Sequence, residues 1–76
     1  MTQKEFRVAL RAFVKRRPFK SFLIEFFSGS RLLITHPEAV DVLAGFYVHV
    51  RHDQGQHLFT SDGVCQLLDA PIPPSA

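Results

Sequence analysis

At 76 residues the chain is long enough for one domain, and its single cysteine excludes an internal disulfide. A chain of this length buries only roughly 60% of the surface that it exposes when unfolded, so its core is small. Small domains often gain stability from self-association, and eight phenylalanines supply apolar surface for a core or a subunit interface. We therefore expect a homo-oligomer or a subunit of a larger protein assembly. The lone cysteine fits a reducing compartment, which predicts a cytoplasmic location.

The sequence lacks the marks of secretion and of membrane insertion. Charges are scattered through residues 1–17, without the apolar segment of a signal peptide. No apolar run approaches the ~20 residues that a membrane-spanning helix needs. We therefore expect no signal peptide and no membrane span.

The net charge of +2 is distributed unevenly along the chain. Residues 1–20 contain seven basic residues and one acidic residue, a net charge of +6, whereas residues 21–76 have a net charge of −4. Such a split is typical of a basic segment that meets an anionic partner. It equally allows the basic segment of one subunit to lie against the acidic body of the next.

The basic segment is predicted to form an amphipathic helix over residues 3–16. Thr2 and Glu5 have the spacing of a capping box, and Pro18 disfavours helical backbone at Arg17. At 100° per residue one face is apolar and the opposite face is basic, with Val8 the one apolar residue on the basic side. The apolar face comprises Phe6, Ala9, Leu10, Phe13 and Val14, and the basic face comprises Lys4, Arg7, Arg11 and Lys15. The basic face is open to three interpretations: a solvated surface, a phosphate-binding stripe, or a surface for anionic lipid.

Five short strands are predicted after the helix, from alternation and from their aromatic and β-branched residues. Their ranges are residues 21–27, 31–35, 45–51, 57–60 and 64–68. The first has apolar residues on both faces, so it is either central in a sheet or covered by the helix. Turns are predicted at residues 28–30, 52–56 and 61–63, and Asp62-Gly63 favours a hairpin at the last of them. Residues 39–43 are compatible with a short helical turn or with a loop.

These elements predict an α+β domain that is mostly β. An N-terminal amphipathic helix is followed by a five-stranded antiparallel bent sheet or small barrel. Short strands leave open edges unless the sheet closes or pairs between subunits. The domain is predicted to span residues 1–69, and residues 70–76, with three prolines, to form a flexible tail.

The first half of the chain resembles a group of short uncharacterised bacterial proteins. These have a helix, a proline-aromatic entry to an apolar strand, a glycine turn and an H-P-E segment. The residues that carry the resemblance are Pro18, Phe19, Phe22, Gly29, His36, Pro37 and Glu38. Ser21 and Ser28 stand where that pattern has proline and aspartate. The resemblance spans most of residues 6–68 and implies no activity.

The order of the elements also resembles the Sm-like fold, a helix on a strongly bent five-stranded barrel of SH3-like type. Sm-like proteins commonly form rings and bind RNA, so the resemblance implies an oligomeric RNA-binding module. The apolar strand before Gly29 is similar to the first Sm segment, without its acidic or asparagine residue at the turn. The second Sm segment is missing, so no site residue is carried over from that family.

Tyr47, His49 and Arg51 alternate onto one face of the third predicted strand. An aromatic ring can stack on a base and cations can meet phosphates, although an ordinary polar face has the same pattern. Together with the basic helix, this face predicts a nucleic-acid interface. The predicted binding residues are Lys4, Arg7, Arg11, Lys15, Arg16, Arg17, Tyr47, His49 and Arg51.

Other groupings of polar residues are interpreted as structural. His49, His52, Asp53 and His57 surround one turn and include ligand types for Zn²⁺ or Ni²⁺, but His49 and His52 face opposite ways on a regular strand. No metal is therefore predicted. Cys65, in an apolar strand, is predicted to lie in the core. His36 and Glu38 could form an acid–base pair, but a turn that ends the second strand is favoured.

The sequence contains no catalytic motif, so no enzymatic activity, cofactor or small-molecule substrate is expected. It predicts a non-catalytic, oligomeric binding module for RNA or single-stranded nucleic acid. The alternative is a protein-interaction or assembly subunit with no nucleic-acid role.

Overall fold

The computed structural model describes residues 1–43, 47–52 and 55–71, and it describes only the backbone of Tyr47 and His52. This part of the chain contains one α-helix, six strands and two short 3₁₀ helices. Helix α1 is Gln3–Val14, and the strands are β1 Phe22–Phe26, β2 Arg31–Ile34, β3 Val40–Leu43, β4 Tyr47–His52, β5 Gly55–Thr60 and β6 Val64–Asp69. The 3₁₀ helices are Pro37–Ala39 and Ser61–Gly63.

Helix α1 begins with the predicted capping box. The Glu5 backbone N–H donates to the Thr2 hydroxyl at 3.0 Å, and the Thr2 N–H donates to the Glu5 carboxylate at 2.9 Å. The helix ends at Val14 and not at Arg16, with Lys15 as its C-cap. Pro18 contributes to this end because it disfavours helical backbone at the residue before it.

The strands form two three-stranded antiparallel sheets, in the orders β2-β1-β6 and β3-β4-β5. The prediction of five strands in one bent sheet or small barrel is therefore wrong: the described residues form six strands, and their two sheets do not close into a barrel. The additional strand is β3, in the segment that the sequence leaves open between a short helical turn and a loop. Its Val40 and Val42 alternate, and they pair with Val50 and Val48 of β4.

The chain passes from one sheet to the other at the two 3₁₀ helices. Pro37, which has no N–H to donate, begins the helix between β2 and β3. Ser61–Gly63 connects β5 to β6, and β6 pairs with β1 and not with β5. The turn is thus confirmed at this point, but the predicted hairpin is wrong. Gly29, with φ of 95°, occupies the predicted turn between β1 and β2.

The core lies between helix α1 and the inner faces of the two sheets. Its buried apolar residues are Phe6, Leu10, Phe22, Ile24, Ile34, Val48, Val50 and Val64. The apolar faces predicted for the helix, for β1 and for β2 are confirmed by this set and by its half-buried neighbours. Strand β1 is central in its sheet, as its two apolar faces predict. The ring of Phe59 meets Phe6 and Phe26 edge-on, at centroid distances of 6.5 Å and 4.9 Å.

Cys65 is exposed, contrary to its predicted place in the core. The register between β1 and β6 shifts between the pairs Glu25–Gln66 and Phe26–Val64. This irregularity leaves Cys65 opposite no residue of β1 and outside the regular inward–outward alternation of the strand.

Several predicted boundaries differ from those of the structure. Strand β4 extends to His52 and β5 begins at Gly55, so both strands reach into the predicted turn at residues 52–56. Gly45 and Phe46 of the predicted third strand lie outside the described residues. So do Asp53 and Gln54 of the predicted turn and residues 72–76 of the predicted tail.

Arg16 links the end of helix α1 to strand β6 and to the segment that follows the helix. Its guanidinium group forms an ion pair with Asp69 of β6 and donates to the Lys20 carbonyl at 3.0 Å. The same group lies over the ring of Phe13, 4.6 Å from the centroid, in a cation–π contact. With its side chain only 27% exposed, Arg16 joins the helix, the linker after it and the last strand.

Glu25 organises a polar row on the outer face of the first sheet. Its carboxylate accepts hydrogen bonds from Gln66 at 2.7 Å and from Arg31 at 2.9 Å. These bonds stabilise the charged form, and they hold the pKa of the Glu25 carboxyl below its usual value. The row therefore links β6, β1 and β2 through one carboxylate.

Because the pKa of Glu25 is lower in the folded than in the unfolded state, its contribution to stability is present above the unfolded pKa. The contribution is lost as the pH falls through the folded pKa. We expect the Glu25→Gln variant to lose less stability than the parent between about pH 5 and pH 2, as measured by urea unfolding. Glu38→Gln, at an exposed glutamate outside this polar row, is the matched control for the loss of one carboxylate. Parallel pH profiles for Glu25→Gln and the parent would contradict the assignment.

The Arg16→Ala variant is expected to lower the free energy of unfolding by about 1–2 kcal/mol, because it removes charge-assisted hydrogen bonds at a mostly buried side chain. Arg17→Ala is the matched control, since among the described residues the Arg17 guanidinium donates only to the Arg16 carbonyl, at 3.2 Å. This control should change stability by less than about 0.5 kcal/mol. Equal losses for both variants, measured by urea unfolding, would show that the contacts of Arg16 are unimportant.

Candidate nucleic-acid interface

The predicted basic face of helix α1 forms a continuous stripe on the surface. This basic stripe consists of Lys4, Arg7, Arg11 and Lys15, and all four side chains are exposed. Residues three and four apart lie above one another on a helix, so the four cations follow the helix axis. The opposite face of the helix is held by the core, which fixes the direction in which the stripe is displayed.

An open groove of about 970 Å³ runs along the basic stripe. All four cations of the stripe line it, together with Val8 and Val14 of the helix and Val42 of strand β3. Val8 is 63% exposed, so an aliphatic surface lies between the positive charges. The groove therefore combines cationic and aliphatic groups along one side of the helix.

The cations of the basic stripe are unpaired within the part of the chain that the structure describes. In the same residues Arg16, Arg31 and Arg51 form ion pairs with Asp69, Glu25 and Asp41. The one acidic residue of the helix is Glu5, whose carboxylate serves the capping box. Hydrogen bonding to the backbone N–H of Thr2, and then to its hydroxyl, lowers the pKa of Glu5. The stripe thus keeps four positive charges that are available to an anion.

The second predicted part of the interface lies on strand β4. The register of the sheet places Tyr47, His49 and Arg51 on one face, opposite to Val48 and Val50 of the core. The side chain of Tyr47 lies outside the described residues.

The polar groups of this face are already engaged within the fold. The guanidinium group of Arg51 lies 3.3 Å from the Asp41 carboxylate and donates to the Glu38 carbonyl at 3.1 Å. His49 and Gln56 are hydrogen bonded at 2.8 Å. An incoming phosphate would have to compete with these partners.

The fold does not bring the two predicted parts together. Val42, which lines the groove, pairs with Val48 on the core-facing side of the second sheet. His49 and Arg51 lie on the opposite side of that sheet. Arg16 and Arg17, also predicted to bind, do not line the groove. Of the nine predicted residues, the structure groups only the four of the basic stripe into one site.

Sequence reasoning missed Val42 as a residue of the site. Residues 39–43 are compatible with a short helical turn or with a loop, because so few residues show little periodicity. The alternation of Val40 and Val42 was the available signal, and it is typical of a strand. Because the strand is ambiguous in the sequence, the sequence also gives no signal that Asp41 is the partner of Arg51.

The remaining polar groupings take structural positions. His36 precedes the 3₁₀ helix Pro37–Ala39, as expected for the turn that ends β2. Among the described residues, no three His, Cys, Asp or Glu side chains are close enough together to hold a metal ion. Asp53 and the His52 side chain, both considered as ligands, lie outside those residues. No helix in the described part of the chain is long and apolar enough to cross a membrane.

Comparisons with protein-family models, with curated proteins and with solved structures gave no match. The resemblance to the short bacterial proteins therefore stays a prediction. The five-stranded barrel that the Sm-like resemblance implies is not the fold of the described residues, which form two three-stranded sheets. The site is interpreted from its own chemistry.

Proposed function

We propose that the protein is a non-catalytic cytoplasmic module that binds RNA or single-stranded DNA along helix α1. The observation that supports this function is the basic stripe, whose four exposed cations line one open groove. Contacts between lysine or arginine and phosphate supply essentially all of the sequence-independent affinity for nucleic acid. Val8 and Val42 favour a single strand, because its flexible backbone lets the sugars contact an aliphatic surface.

The spacing of the basic stripe is unfavourable for the helix itself. Arg7 and Arg11 are four residues apart, as are Arg11 and Lys15. Like charges at this spacing destabilise a helix by about 0.2–0.5 kcal/mol per pair. A polyanion in the groove relieves this repulsion, so the ligand is expected to stabilise the fold when it binds.

The proposed site excludes five of the nine residues that the sequence predicts to bind nucleic acid. Arg16 is committed to Asp69, and Arg17 lies outside the groove. Tyr47, His49 and Arg51 belong to the other face of the second sheet. The proposal therefore depends on the basic stripe alone.

Reversal of two charges, in the variant Arg7→Glu/Arg11→Glu, is expected to abolish binding of a labelled single strand of about twelve nucleotides at about 50 mM salt, measured by fluorescence anisotropy. For the parent, the logarithm of the binding constant should fall linearly with the logarithm of the salt concentration. Its slope should be about −3, the value for the neutralisation of four phosphates of a single strand. Binding should be similar for RNA and DNA strands.

The matched control is Arg17→Glu/Lys20→Glu, which changes the net charge equally at exposed residues outside the groove. This control should keep most of the affinity, and circular dichroism should show that both variants are folded. Absence of binding by the parent at about 50 mM salt would refute the proposed function. Equal losses in both variants would show that net charge, and not the basic stripe, governs binding.

A second candidate function is self-assembly, and a specific feature of strand β5 favours it. Among the described residues β5 pairs only with β4, so its other edge is open. Leu58, in the middle of this strand, is 64% exposed. The unpaired backbone groups of an edge strand are a template for a further strand. In a dimer with a two-fold axis beside Leu58, the β5 strands of the two copies would pair antiparallel, with Leu58 of one copy opposite Leu58 of the other. The inner faces of the two sheets would then lie on the same side of the joined sheet, and so would the outer faces.

If β5 joins two copies, the parent should be an oligomer by light scattering at micromolar concentration, and Leu58→Lys should convert it to a monomer. A lysine on an edge strand opposes strand addition. Leu33→Lys is the matched control, because Leu33 is also an exposed leucine on an edge strand. A monomeric parent, or equal dissociation by both variants, would contradict assembly through β5.

A further inference from the structure

All but one of the side chains that line the described groove are cationic or aliphatic. The aliphatic ones are Val8, Leu10, Ala12, Val14 and Val42. Gln3 contributes the one uncharged side chain in the described lining that can form hydrogen bonds. Arginine and lysine read a base when they are held in a fixed geometry against its edge. Among the described residues no ion-pair partner holds the cations of the basic stripe in this way, and phosphates, which need no such geometry, are their expected targets.

No aromatic ring lines the groove within the described residues, although the chain is rich in phenylalanine. Phe6 and Phe22 are fully buried, and Phe13 packs against the core. Phe27 is exposed but follows strand β1, at the turn into β2. Proteins that hold single strands by their bases stack those bases on aromatic side chains. Here the described rings are used in the core or lie elsewhere.

We infer that the groove recognises the sugar–phosphate backbone of a single strand and does not read or stack its bases. This inference rests on the proposed function and specifies its ligand: a phosphodiester chain of any sequence. The cations of the basic stripe meet successive phosphates, and the exposed surfaces of Val8 and Val42 contact the sugars between them. At 1.5 Å per residue, the stripe from Lys4 to Lys15 spans about 16 Å, enough for only a few phosphates.

The experiment compares three strands of equal length on the full-length protein: oligo(dT), oligo(dA), and an abasic strand in which each nucleoside is replaced by a tetrahydrofuran unit. All three are expected to bind with dissociation constants within about threefold of one another, because phosphate contacts are independent of sequence. A tenfold weaker abasic strand, at about 50 mM salt, would overturn the inference but leave the proposed function standing. Binding of none of the three would overturn both.

A gain-of-function variant tests the same inference from the opposite direction. Val8→Tyr places a ring at a 63% exposed position in the groove, where it does not disturb the core. One base–aromatic stack should tighten oligo(dT) binding by about fivefold to a hundredfold and leave abasic binding unchanged. Val8→Leu, which enlarges the side chain without a ring, should bind both strands like the parent. If Val8→Tyr brings no gain for oligo(dT), or an equal gain for the abasic strand, the strand does not run over Val8, and the inference is overturned.

Discussion

The basic stripe depends on the burial of the opposite face of helix α1. An isolated helix of 12 residues is marginal in water, so packing must hold it. Phe6 and Leu10 are 1% and 8% exposed, and burial of such a side chain contributes about 1.5–3 kcal/mol. Each like-charge pair on the outer face costs only about 0.2–0.5 kcal/mol. The free energy gained by burial therefore exceeds the cost of charge repulsion. The helix is stable although the cations of its basic stripe have no ion-pair partner among the described residues.

Both ends of this helix are fixed to the last part of the chain. At its start, the Met1 amino group donates to the carbonyls of Ser61 and Val64, at 3.3 Å and 2.6 Å. At its end, Arg16 is paired with Asp69. The basic stripe therefore has a defined position relative to strand β6. A site on a fixed element needs little ordering when a ligand binds, which lowers the entropic cost of association.

Local patterns in the sequence predicted the elements that depend on near neighbours. The capping box, the two faces of the helix and the β1–β2 turn at Gly29 all follow from residues within one or two turns of each other. The division into two sheets did not, because it depends on pairing between β1 and β6, some forty residues apart. The exposure of Cys65 depends on the register of that same pair. The separation of His49 from the basic stripe likewise depends on how the second sheet packs against the helix, which local sequence patterns do not predict.

The site illustrates why a count of basic residues overestimates a binding surface. Arg16 and Arg51 have acidic partners that folding brings to them, whereas the cations of the basic stripe have none among the described residues; only the structure separates the two groups. In the proposed binding mode, four phosphate contacts without base stacking would give a modest, salt-sensitive affinity. Two such sites on one assembly would act at a high effective concentration along the same strand, and the combined affinity can then exceed either one by about 10²–10⁴. If the proposed assembly holds as well, pairing through the edge of β5 that is open among the described residues supplies the affinity that a groove this short lacks.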